Sequence, residues 1–414
     1  MKRKYTYLFL TITQIFMAQN LQSELQKIVD NHKLMGLTVA TFDKNSTKIY
    51  NVGIQNFDSK KPITNETQFR IASISKAVAS LGLMKLYDQK KFKLTDDVSK
   101  TLGFQLRNPS FPDDVITFEM IMSHTTSIND GDGYDDFLAA TYNKKIPNIS
   151  CVLLPSGENF SKNMWLDKKP GTFFTYCNLN FGILGTLIEK LSGQRFDIFM
   201  KNEILNPLGF SAGFNIQDVQ NIDNLAVLYR SENNEWKPQK DNYKGTKPTP
   251  SDMTDYVVGT NGAFFGPQGG LRASASDLIK FLQFLKSDGK SVSKLLSRKT
   301  INKMRASQWI FDGKNGDDFE GFFKEYGLGL HQTNTTKQDT VADFKTFGKF
   351  VGHAGDAYGL ISDAYFSEKQ NFGFVLITNG CFTAFEKGKS TAFNRFEEQI
   401  MKLVTDDFLL TQKK

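Results

Sequence analysis

Cysteine is scarce in this chain: Cys151, Cys177 and Cys381 are the only three among 414 residues. Three is odd, and their spacings match no metal-ligand motif, so a disulfide scaffold and a cysteine metal site are both excluded. Long apolar runs are missing after the first twenty residues, so no later stretch can cross a bilayer. Repeats and low-complexity segments are missing too. Basic clustering is also absent. The 51 Lys+Arg against 44 Asp+Glu give +7; Lys2, Arg3 and Lys4 supply three of these, and 7 − 3 leaves +4 spread thinly. That pattern gives no face for nucleic acid.

What is present is enough apolar material, 40% of residues, to bury a large core with more than one lobe. The 37 Phe are scattered and read as core. "MKRKYTYLFLTITQIFMAQN" has a basic start, an apolar run over Tyr7–Met17 and Ala18 as a cleavage residue. Residues 1–18 therefore read as a signal peptide, and the expected location is extracytoplasmic, periplasmic or secreted. Phe16 leaves the cut site open, and membrane attachment is expected only if the segment stays uncleaved. No cysteine follows the run, which argues against a lipoprotein.

"LQSELQKIVDNHKLMG" reads as an opening amphipathic helix, followed by two strands in "GLTVATFD" and "TKIYNVGIQN". "TQFRIASISKAVASLGLMKL", Thr67–Leu86, reads as an apolar helix. From about Ile116 to Leu285 the pattern is mostly helical with long polar loops. "FGILGTLIEKLSG" ends at Gly193, and "SASDLIKFLQFLKSDG" starts at a Ser/Asp cap and stops at glycine. "RSENNEWKPQKDNYKGTKPTPSD" reads as a long functional or mobile loop. The chain end returns to strands in "YGLGLHQT", "KFVGHAG", "LISDAYFSE" and "FGFVLITNG", and closes with a helix in "AFNRFEEQIMKLVTDDF". The expected fold is α+β. An antiparallel sheet is built from both chain ends and flanked by helices, with a mostly helical lobe inserted. Residues 19–414 form one catalytic domain in this reading, with an α/β lobe at about 19–115 and 325–414 and a helical lobe at about 116–324.

One residue in Thr67–Leu86 is out of place. Lys76 sits among Ile74, Ala77, Val78 and Leu81, where an ammonium is costly unless it is paired or its pKa falls. Ser73 lies three residues earlier, on the same helix face. Free N–H groups at a helix start can stabilise an oxyanion, and a desolvated lysine can take a serine proton. S-x-x-K recurs at Ser287/Lys290 and Ser291/Lys294, but there the surroundings are polar. Tyr176 and Asn178 form Y-x-N just before a helix. His353 lies between Gly352 and Gly355 at a strand start, where a strand edge could accept a substrate.

"FRIASISK", "FTYCN" and "GHAG", in this order, resemble the three motifs of the serine β-lactamase and penicillin-binding protein superfamily. The branch resembled is that of class C β-lactamases, D-alanyl-D-alanine carboxypeptidases and related esterases. "LTDDVSK", "ITFEMIMSHTTSI", "PQGGLRASASDLIKF" and "FGFVLITNG" extend the resemblance over about residues 21–405. It implies Ser73 as the acylated nucleophile, and Lys76 and Tyr176 as general base and proton shuttle in an unsettled division. It further implies Asn178 and His353 as substrate-binding residues, His353 standing in place of the lysine of K-T-G. Gly355 belongs to the same motif, and the N–H groups of Ser73 and Asp356 form the oxyanion hole. The implied activity is a D-amino-acid peptidase, carboxypeptidase or esterase, with a class C-type β-lactamase as alternative and a non-catalytic cell-wall peptide binder as the other class. No cofactor is implied, and the partner is a small-molecule or peptide substrate. Histidine for lysine removes a permanent cation and disfavours lactam hydrolysis. Ser127 stands where the family commonly has glycine. His124 and Cys177 read as structural.

Two rival motifs are set aside. "GFSAG", Gly209–Gly213, follows a helix rather than a strand, unlike a nucleophile elbow. "DGDGYDD", Asp130–Asp136, lacks the closing glutamate of a calcium loop and reads as a solvated acidic loop, so no metal site is expected.

Overall fold

The computed structural model describes residues 20–142, 146–211, 213–233, 235–291, 295–381 and 386–412. The expected signal peptide lies outside the described residues. A helix over residues 20–31 opens the described chain. The strands in chain order are β1 Gly36–Phe42, β2 Thr47–Gly53, β3 Gln68–Arg70, β4 Leu228–Glu232, β5 Glu235–Lys240, β6 Arg272–Ser274 and β7 Trp309–Ile310. They continue with β8 Glu325–Tyr326, β9 His331–Thr333, β10 Phe350–Ala357, β11 Leu360–Ser367, β12 Gly373–Thr378 and β13 Gly380–Cys381.

Eight of them form one antiparallel sheet ordered β2-β1-β12-β11-β10-β9-β8-β7. The strands from the chain start thus sit beside those from the chain end, as the pattern predicts. β1 and β12 are buried along their whole length, because helices cover both faces of the sheet. One apolar layer joins the sheet to the helices Ile74–Asp88, Leu179–Ser192 and Ala275–Lys286. The other packs helix Arg395–Gln412 on the opposite face through Phe396, Ile400, Met401 and Val404.

Three local readings change. Thr67–Leu86 is not all helix: β3 pairs with β6, and the helix starts at Ile74. Between them Ala72 takes a left-handed φ of 48°, which no α-helix can propagate. The polar stretch around Trp236 is partly a hairpin, β4–β5, whose polar side chains suit a solvated edge. Two elements from the expected helical segment join the sheet side. β7 is its last strand, and helix Ala275–Lys286 packs on β1, β11 and β12. That helix has the predicted Ser274/Asp277 capping box but stops at Ser287, short of Gly289.

Candidate active site

Ser73 precedes the first turn of helix Ile74–Asp88, and its hydroxyl caps no backbone N–H, so it is left for other partners. The helix is apolar on nearly every side and buried in the core. Lys76, one turn on, is fully buried, as its setting in the sequence requires. Its Nζ donates to Ser73 Oγ at 3.0 Å, to Asn178 Oδ1 at 2.7 Å and to the Gln268 carbonyl at 2.8 Å. Burial pulls its pKa down to about 7, against a weaker upward pull from Asp130. A buried amine with three acceptors and no contacting carboxylate shares its time between ammonium and base near neutral pH.

Tyr176 arrives from the loop before helix Leu179–Ser192 and faces the same cavity as Ser73, its phenol close enough for the Ser73 hydroxyl to act on its ionisation. Burial pushes its phenol further up, so it stays protonated. Its ring lies 4.8 Å from Lys76 Nζ and stacks on Phe323 at 5.1 Å.

Asn178 is brought to the same place, with both ends of its amide engaged. Oδ1 faces Lys76, and Nδ2 donates to Asp130 at 2.8 Å. Asp130 also accepts the backbone N–H groups of Asn178 and Leu179 and the Cys177 thiol. It therefore caps a helix and fixes the Asn178 amide orientation. The solvated-loop reading fails for Asp130, and the exposed Asp132, Asp135 and Asp136, though solvated, lie on helix Asp132–Thr141 rather than in a loop. Its capping role depends on a contact 48 residues along the chain, which no local pattern displays.

His353, on β10, is buried, with Nε2 2.9 Å from the Tyr326 hydroxyl and Nδ1 2.5 Å from the Ala354 carbonyl. Burial and the charge on Lys76 hold its pKa well below 6.5, so the imidazole is neutral. His124 is fully buried, with its ring 4.5 Å from that of Tyr176. Its Nδ1 accepts the Cys177 N–H at 3.1 Å, which ties down the Tyr-Cys-Asn loop. Ser127 adopts the left-handed φ of 67° that its place demanded, with its hydroxyl accepting from Asn108 at 2.8 Å.

Gly355 is needed for the placement of Ser73. A Cβ there would lie 2.7 Å from the Ile71 carbonyl and 3.0 Å from the Ser73 nitrogen, so only glycine lets β10 reach the helix start. β9 pairs with β10 only over Phe350–Gly352, and β10 beyond His353 has no strand on that edge among the described residues. Asp356 is exposed there, its carboxyl pushed up by its surroundings against the pull of Arg230. Ser73, Tyr176, His353, Gly355 and Asp356 open on one cavity of about 410 Å³. Its wall includes Phe319, Phe322 and Phe323, which lie outside every motif in the sequence. His331 holds that wall: Nε2 meets the Phe322 carbonyl at 3.0 Å, and Nδ1 the Tyr365 hydroxyl at 2.7 Å.

Ser211 of "GFSAG" lies apart from this constellation, donating to the capping Asp277 at 2.8 Å. Among the described residues no cluster of His, Cys, Asp and Glu could hold a metal ion.

An antiparallel sheet with a serine and a buried lysine at the start of a core helix defines the β-lactamase/transpeptidase fold class. The chain belongs to the beta-lactamase family, whose profile matches residues 21–394. Penicillin-binding protein 4* of Bacillus subtilis (strain 168) is 25% identical over 347 residues, 81% of this chain. The chain spans 66% of that relative's length and 30% of the next curated relatives it matches. Two solved structures share the fold over 95% of this chain and 99% of their own. EstCE1, a hydrolase with promiscuous acyltransferase activity, has a TM-score of 0.66 at 20% identity. The D-amino acid amidase of Ochrobactrum anthropi SV3, complexed with L-phenylalanine amide, has a TM-score of 0.65 at 18% identity.

Proposed function

We propose that the protein hydrolyses an amide or ester through an acyl-enzyme on Ser73, as an extracytoplasmic amidase, peptidase or esterase. The observation that carries this reading is the fully buried Lys76 amine 3.0 Å from Ser73 Oγ. Neutral Lys76 takes the Ser73 proton as Oγ attacks the carbonyl carbon, and the carbonyl oxygen becomes an oxyanion facing the Ser73 and Asp356 N–H groups. Tyr176, kept protonated, passes its proton to the leaving nitrogen or oxygen and is reprotonated from Lys76. Water then attacks the ester on Ser73, giving its proton back through the same pair and releasing acid and free serine. Asn178 acts by holding Lys76, since both ends of its amide are engaged. No step calls for a metal or cofactor. The neutral His353 offers a substrate carboxylate no cation, which favours this reading over a lactamase.

Intact-mass spectrometry of the protein with a fluorophosphonate or penicillin-type probe tests the assignment. One adduct is expected on wild type and none on Ser73→Ala. An adduct that persists on the variant refutes it.

A further inference from the structure

The cavity beside Ser73 holds no cationic side chain among the described residues that line it, but it holds two carboxyls. Asp356 is exposed, whereas Glu397, the third residue of helix Arg395–Gln412, is only 5% exposed and still lines the cavity. Glu397 Oε2 accepts the Asn394 N–H at 2.6 Å. Beneath it on β11 lies Asp363, fully buried and close enough to Glu397 that each carboxyl acts on the other's ionisation. Neither Asp363 oxygen has a hydrogen-bond donor among the described residues. Two neighbouring buried carboxyls cannot both carry a charge cheaply, so one keeps its proton. Asp363, the deeper carboxyl and the one without a donor, keeps the proton, which leaves the negative charge on Glu397 at the cavity wall. Phe319, Phe322, Phe323 and Phe393 complete that wall.

We propose that this cavity receives the leaving group and that Glu397 selects leaving groups bearing an ammonium, seated among the phenylalanine rings. The inference rests on the serine-hydrolase reading. Tyr176, the proton donor to the leaving atom in that reading, lines the same cavity. Aromatic faces and a carboxylate together attract a desolvated cation, whereas a leaving-group carboxylate would meet Asp356 and Glu397 with no cation to offset them. The ionisable groups that face Glu397 are Asp363 and Tyr365 on β11, Asp356 on β10 and Cys381 on β13. Burial and Asp356 raise the Glu397 pKa to about 7, so its full charge develops above neutrality.

The test compares three thioesters of one acyl group on the full chain: acetylthiocholine, its uncharged isostere 3,3-dimethylbutyl thioacetate, and S-acetyl-3-mercaptopropanoate. At pH 8 the cationic ester should exceed the neutral one by about tenfold in kcat/KM, mostly through KM, and the anionic ester should fall below both. The cationic-to-neutral ratio should climb with pH across 5.5–8 in wild type and approach one in Glu397→Gln. Equal constants for the three esters overturn the proposal, and so does a ratio unmoved by E397Q. Calorimetry with choline on the Ser73→Ala protein provides a readout that needs no catalysis. Choline binding that is weakened by adding E397Q supports the subsite even if no thioester is cleaved, in which case the hydrolase reading alone falls. No choline binding overturns the subsite. Should E397Q fail to fold, the wild-type pH dependence of the ratio and of choline binding decides.

Discussion

At the scale of single residues, the site turns on a lysine placed where an ordinary lysine would be a liability. Among aliphatic neighbours Lys76 loses its proton near pH 7, some three units early, because the core solvates the ammonium poorly. In the proposed mechanism the neutral form is the base, so acylation of Ser73 should rise with pH and level off above about 7. Rapid mixing with a chromogenic ester over pH 5–9 measures this limb. Its midpoint should persist in Glu397→Gln, the other group near the site that titrates in that range, and Lys76→Met should abolish acylation. His124 and His353 stay neutral well below this window, so neither can supply the limb. A flat profile from 5 to 9 would remove Lys76 from the base role. Lys76 was legible in the sequence because a charge within an apolar helix conflicts with the local pattern, and such conflicts collect at functional positions. Gly355 was legible only in kind: glycine marked a close approach, but the partner is the Ile71–Ser73 backbone rather than a substrate.

At the scale of elements, the start of helix Leu179–Ser192 is tied to the site through Asp130. One carboxylate receives two backbone N–H groups of the helix start, the Asn178 amide and the Cys177 thiol. Asp130→Asn keeps the shape but turns an N–H₂ towards donors, so it should lower stability by about 1–3 kcal/mol. It should also free Asn178 to rotate away from Lys76 and slow acylation by more than tenfold, since small misplacements at a reacting centre are costly. Urea unfolding and single-turnover acylation of the variant check both outcomes. An unchanged acylation rate would show that Asn178 holds its place without Asp130. The helix itself could be read from its period and from Gly193, the left-handed residue that ends it. Its cap could not, because the acid lies in a loop whose charges otherwise face water. The same limit hid Phe322, Phe323 and the supporting His331. They belong to no motif, and their placement follows from the order β7–β8–β9–β10, which sets a loop of the late chain against Tyr176.

At the scale of the molecule, the sheet joins both chain ends, and the acid pair lies on its outer face against the last helix. That strands from both chain ends share one sheet was foreseeable, because buried strands at the two ends of a chain separated by helices have few ways to share a core. The acid pair was not, since Asp363 and Glu397 are 34 residues apart in separate elements, each ordinary in its own segment. Folding raises the Glu397 pKa from 4.5 to about 7, chiefly by burying it, with the charge of Asp356 pushing the same way. Between those values the folded state keeps a proton that the unfolded chain has released. Stability from this group is therefore full below pH 4.5 and is lost as pH rises through 7. Glu397→Gln cannot ionise and escapes that loss. Relative to wild type it should gain on the order of 2 kcal/mol between pH 5 and pH 8, read as a difference of denaturation midpoints at the two pH values. Many other groups titrate over that range, but those common to both proteins cancel in the double difference, leaving the pair and whatever it touches. A constant offset between the two proteins would mean that Glu397 is ionised throughout, with its charge compensated by a group other than Asp363.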